Sequence, residues 1–119
     1  MSDMVFDEEA FAKRCVHDSE LQQEIVEGSL PDLEQHIRSV AAAFERGDAT
    51  QLERAAHALK GTSGTLSALE LQAAARQIET AAKEAQLTAG TGEHIRSLRE
   101  QAEALRARLR ELGFRLPEG

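Results

Sequence analysis

The stretch Leu52-Glu53-Arg54-Ala55-Ala56-His57-Ala58-Leu59-Lys60-Gly61-Thr62-Ser63-Gly64-Thr65-Leu66 decides how this chain folds. Wound as a helix at about 100° per residue, it has two opposite faces. Leu59 falls roughly 160° from His57, on the side that carries Leu52, Ala55, Ala56 and Leu66. Lys60 lies roughly 60° to one side of His57, Gly61 roughly 40° to the other, and Gly64 roughly 20° away. A lone imidazole therefore stands on the polar face, beside a cation and over two positions without side chains. Each glycine costs about 1 kcal/mol against alanine inside a helix. Gly64 reads as a helix terminator. Gly61 is too far inside for that, and its use is steric: bare backbone beside the ring lets another protein come close.

Capped helical segments extend on both sides. Gly47 and Asp48 read as a C′ glycine and an N-cap, with Gln51 at N3, opening a helix from about Ala49 to Gly64. Upstream, Asp7 caps a short helix running to about Cys15 or Val16, with Phe6 and Phe11 as its hydrophobic staple. Ser19 and Gln22 predict a capping box for a longer helix with the stripe Leu21, Ile25, Leu33, Ile37, Val40, Ala41 and Phe44. Gly28 and Pro31 predict a kink or one-turn break within it. Downstream, Ser67 and Glu70 predict a further capping box, then the stripe Leu71, Ala74, Ala75, Ile78, Ala81, Ala82 and Ala85. Residues 88–92 read as a connector. Ile95, Leu98, Ala102, Leu105, Leu109 and Leu112 form a bundle seam, ended by Gly113 and Pro117. Short connectors imply antiparallel neighbours. The expected fold is all-α: an antiparallel up-down-up-down four-helix bundle with a short extra N-terminal helix, forming one domain over residues 1–119.

Composition agrees. Aromatics are limited to four Phe, and alanine and leucine dominate the apolar set, which favours helix over strand. Fourteen basic residues face 21 acidic ones, a net charge of −7. That balance argues against a nucleic-acid or anionic-membrane surface. Cys15 is the single cysteine, so no intramolecular disulfide forms, and it reads as a small buried apolar residue. Acidic residues crowd the first ten positions, unlike a signal peptide. The longest apolar run, Val40 to Phe44, is too short to span a bilayer. A cytoplasmic location is the simplest expectation.

Two readings of His57 compete: a surface histidine without a role, and a nucleophile offered to a bulky partner. An ammonium at Lys60 disfavours the imidazolium and keeps the ring neutral, with a lone pair on one nitrogen. The same ammonium can attract a phosphoryl group in transfer. A metal-binding carboxylate bundle requires Glu-x-x-His pairs on facing helices. Glu53 stands four residues before His57, and there is no second pair. A helical adaptor without chemistry is a third reading, against which the intact His57, Lys60 and Gly61 argue. His17, His36 and His94 read as surface histidines, with His36 placed where it could border a docking face.

The run His57-Ala58-Leu59-Lys60-Gly61-Thr62-Ser63-Gly64-Thr65-Leu66, with Leu71 and Ile78-Glu79 beyond it, resembles the histidine phosphotransfer (HPt) domains of bacterial phosphorelays. Phe6-Asp7, Leu30-Pro31 and Gly47-Asp48 extend the likeness over nearly the whole chain. The resemblance implies that His57 accepts the phosphoryl group on Nε2, that Lys60 assists it and that Gly61 clears room for a docked receiver domain. In some members a side chain at the position of Glu79 hydrogen-bonds the other ring nitrogen; by sequence alone Glu79 reads equally as a solvated helix charge. Many members have glycine where this chain has Ser67. The implied protein is a carrier between receiver-domain aspartates, without an ATP site or kinase activity of its own. Its partners are receiver domains of a hybrid sensor kinase or of response regulators. It holds no cofactor, Mg²⁺ belongs to the partner receiver, and it acts as a monomer. Met1 and the compact length fit a free-standing protein.

Overall fold

The computed structural model describes residues 2–117; Met1, Glu118 and Gly119, the ends of the expected domain span, lie outside it. Six helical segments follow one another: α1 (Ser2–Val5), α2 (Glu8–Arg14), α3 (Ser19–Glu45), α4 (Ala49–Thr65), α5 (Leu69–Lys83) and α6 (Ala89–Glu111). The four long ones pack in chain order and α6 closes back on α3, giving the up-down-up-down bundle. The one-turn α1, against α5 and α6, is an addition to the expected helices.

Local chemistry accounts for most boundaries. The Asp7 carboxylate accepts from the Ala10 amide at 3.1 Å, and the Phe6 and Phe11 rings meet at 5.4 Å between centroids. Asp48 accepts from the Gln51 amide at 3.0 Å, behind Gly47 at φ +67°. Gly113, at φ +96°, ends α6. The core between the helices is aliphatic: Leu30, Leu33, Ile37 and Val40 from α3, Leu52 and Leu59 from α4, Leu71 and Ile78 from α5, and Leu98, Leu105 and Leu109 from α6. Phe6, Phe11 and Phe114 close it off as an edge-packed trio.

Five expectations are corrected. The N-cap of α3 is Asp18, whose side chain accepts from the Glu20 and Leu21 amides, and Ser19 is the first helical residue. A carboxylate one residue earlier supplants the hydroxyl. Of the kink or one-turn break expected at Gly28 and Pro31, the break is absent: α3 runs unbroken from Ser19 to Glu45. Pro31 frees the Glu27 carbonyl, but Glu27 and Pro31 are both exposed, so the lost bond falls on the solvent side of the helix. Buried Val26, Leu30, Leu33 and Ile37 hold the helix on either side. Ser67 does not cap α5. It sits at φ +53° as the left-handed residue after α4, and the N-cap, Ala68, has no side-chain bond. This is the conformation glycine adopts without steric cost, so Ser67 takes it up at some expense. Ala85 is exposed and at φ +55° lies past the end of α5, off the stripe. Finally, residues 89–92 are helical, not connector. Thr88 caps them, the buried Thr91 hydroxyl bonds the Gln86 carbonyl at 2.8 Å, and a side chain at Gly92 would meet the Phe44 ring at 3.2 Å.

Candidate functional site

The apolar face of α4, Leu52, Ala56 and Leu59, is fully buried. His57 consequently points outward, with its side chain 70% exposed. Gly61, one turn on, is exposed, and a Cβ there would meet nothing within 4 Å. No packing constraint within the domain demands glycine at this position. Gly64 is different, and it is not a terminator. α4 continues to Thr65 and is closed by Leu66, while a Cβ at Gly64 would come 2.7 Å from the Gln72 amide nitrogen. Its bareness lets α5 lay Gln72 across α4. The Arg14 guanidinium, at the end of α2, donates to the Gly64 carbonyl. Gln72 and Arg14 thus border the same face, and nothing in their spacing had marked them.

Glu79 of α5 completes the site. It is buried, with 8% of its side chain exposed. One carboxylate oxygen lies 2.8 Å from His57 Nδ1 and the other accepts from Lys60 Nζ at 2.7 Å. Lys83 Nζ is 4.0 Å away. The even choice left by the sequence is resolved against a solvated charge. The reading of Lys60 changes too. Its ammonium does not stand free beside the ring but is joined to the carboxylate that also holds the ring.

The Lys60 hydrogen bond holds the Glu79 carboxyl below the usual carboxylate range; burial pushes it up, and His57 and the Lys60 charge add to the lowering. Glu79 is therefore ionised at neutral pH and can only accept. In the neutral imidazole the proton must then sit on Nδ1, and Nε2 carries the lone pair. Nε2 has no hydrogen-bond partner among the described residues. The arrangement is a nucleophilic nitrogen on an open helix face, held in one tautomer by a buried carboxylate.

A depressed folded-state pKa means that the unfolded chain binds the proton first as pH falls. The stabilisation from Glu79 is full above the ordinary carboxylate range, from about pH 5 upward, and is lost as pH falls through the depressed folded-state value. Glu79→Gln should accordingly be less stable than the parent at pH 7, with the gap narrowing toward pH 3. Thermal melts across that range measure it, and a gap that stays constant would mean that the carboxylate charge contributes nothing.

Other titratable residues stay apart. His17 and His94 are exposed and His36 is half-buried; none bonds to His57 or Glu79. Cys15 is buried and burial pushes its thiol up. Among the described residues no group of three or more His, Cys, Asp or Glu is arranged to hold a metal ion. No described helix is long and apolar enough to cross a membrane.

Comparison with known proteins bears on this geometry. The family model of the Hpt domain matches residues 24–108. Among solved structures, the chain is similar to histidine-containing phosphotransfer protein B (HptB) from Pseudomonas aeruginosa PAO1, with a TM-score of 0.82, 22% identity, and coverage of 90% of this chain and 92% of that one. At that identity the likeness is one of fold. No protein of curated function matches the chain in sequence.

Proposed function

The chain belongs to the Hpt domain family, whose work is histidine phosphotransfer in phosphorelays, and on that premise we propose that His57 is the residue that carries the phosphoryl group. The observation that carries this reading is the Nδ1–Glu79 contact of 2.8 Å on an outward-facing ring, which leaves Nε2 as the free nucleophile.

The chemistry is an in-line exchange. The Nε2 lone pair attacks the phosphorus of an aspartyl phosphate on a receiver domain. The N–P bond forms as the P–O bond to the aspartate breaks, and the receiver carboxylate leaves with that electron pair. The ring then shares a positive charge between its nitrogens, with Glu79 facing it across Nδ1. Attack by a second receiver's aspartate on phosphorus reverses the exchange and restores the neutral ring. Lys60 spends one of its three N–H donors on Glu79 and has others for the equatorial oxygens of the group in transit. The chain serves as a monomeric carrier between receivers. Mg²⁺ and most of the charge stabilisation belong to the receiver, with no resident cofactor here and no ATP-dependent step. A cytoplasmic setting is part of this reading.

The direct test is label transfer from a phosphorylated receiver domain, expected to give an acid-labile, base-stable phosphohistidine at residue 57. Gly61 provides a second measurement. Gly61→Gln should stabilise the helix by up to about 1 kcal/mol yet slow receiver-dependent transfer at least about tenfold by obstructing approach. Labelling by phosphoramidate, a small donor, should persist. An unchanged transfer rate would sink the steric account of Gly61.

A further inference from the structure

Past Gly113, which turns the end of α6 at φ +96°, residues 114–117 run without regular structure beside the first turns of α3. Phe114 and Leu116 pack against the core, and Arg115 between them is exposed. The Gln23 side chain of α3 pairs with Arg115 as a neighbouring strand would. Its carboxamide oxygen accepts from the Arg115 amide at 3.1 Å, and its nitrogen donates to the Arg115 carbonyl at 2.7 Å. Arg106 donates to the Pro117 carbonyl at 3.0 Å. The Phe114 ring meets Phe6 and Phe11 at 6.4 and 6.3 Å between centroids.

α2 depends on that contact. Its seven residues are too few to stay helical undocked. Phe11 anchors its middle, the Asp7 amide donates to the Ser67 carbonyl at 2.8 Å, and Arg14 donates to the Gly64 carbonyl. The joint to α3 is strained, because Val16 and His17 stand at φ +47° and +58°. Left-handed backbone is costly for any residue with a Cβ, and more so for a β-branched one. Bonds back into α2, from the Val16 amide to the Lys13 carbonyl and from the His17 amide to the Ala12 carbonyl, hold the joint in that state. Undocking and melting α2 relieves it.

We propose that residues 113–117 are a latch on α2, and that latch and α2 release together while α3 to α6 keep their packing. Both segments lie outside the span from α3 to α6, so release interrupts no connection of the bundle. The latched state braces the end of the helix that carries His57, through Gly64 and Ser67. The released state uncovers Cys15, which closes α2 and is fully buried. It is the single cysteine of the chain, so its thiol reports release. The His57–Glu79–Lys60 contacts draw on neither segment and persist in both states.

The experiment is alkylation of Cys15 by iodoacetamide in the full chain, followed as urea rises toward the unfolding transition. With alkylation slower than reclosing, the rate follows the open fraction. Release exposes less surface than global unfolding, so the labelling rate should rise with urea along a far shallower slope than the global unfolding constant. Gln23→Ala, which removes both bonds to Arg115, should speed labelling at least about threefold. Phe114→Leu, which keeps an apolar side chain but loses the ring contacts, should do the same. A labelling slope equal to that of global unfolding would mean that α2 leaves only with the whole bundle. An unchanged labelling rate in either variant would mean that the tail and α2 open separately. Each of these results overturns the latch.

Discussion

The His57→Gln protein takes no label from a phosphorylated receiver, while its bundle melts close to the parent's temperature. Both halves follow from position. The carboxamide offers no nucleophilic nitrogen, so the covalent step has no replacement group. The ring it replaces is 70% exposed, so little buried surface is lost. The Glu79 contact on Nδ1 goes, which costs about 1 kcal/mol, while Lys60 still neutralises the carboxylate. His17, His36 and His94 remain in the variant and serve as an internal control. Label persisting at the parent level would place the acceptor elsewhere and overturn the assignment of His57. Loss of label together with loss of the helical signal would report only unfolding, which makes the melt an essential companion measurement.

The second large effect is on stability and lies far from the imidazole in chain order. Phe11→Ala should destabilise the domain by about 3–5 kcal/mol. Against a total of about 5–15 kcal/mol for a natural domain, that is a substantial fraction. Phe11 is 1% exposed and meets both Phe6 and Phe114, at 5.4 and 6.3 Å between centroids. It is the point where α2 and the segment after α6 are fastened to the same core. The midpoint of thermal unfolding should fall by more than about 10 °C. A loss below about 1 kcal/mol would mean that the trio merely covers the core and does not belong to it. Below its lowered midpoint the variant should still accept label, because no atom of the trio touches His57.

What the sequence made legible was local. Asp7 with Phe6 and Phe11, and Gly47 with Asp48, act within a turn or two of themselves, and they stand where their chemistry predicts. Ser19 and Ser67 also fitted a capping pattern, but pattern alone did not rank them against their surroundings. Asp18 offered a stronger acceptor one residue earlier. The closure of α4 on α5 drove Ser67 to a positive φ. The glycines at 90 and 92 resembled a linker until Thr88 capped them and Phe44 required a bare neighbour. At the site, the outward set of His57 was readable from the leucines behind it. The role of Glu79 was only half readable. Glu79 lies roughly 40° from Ala75 and 60° from Ala82 around α5, yet its charge left a solvated position equally open. That it would reach both His57 and Lys60 depends on the register of α5 against α4, which no local signal contains.

The two bare positions on α4 have a bearing on signalling output. Gly61 and Gly64 leave this helix about 2 kcal/mol weaker than an alanine version, and an isolated segment of 17 residues with that burden would be mostly coil. The reactive nitrogen owes its alignment to a carboxylate 22 positions away along the chain, so a melted helix offers no oriented acceptor. Traffic through the relay therefore scales with the folded fraction of the carrier. Heat or core damage dims the signal without touching any residue that handles phosphate.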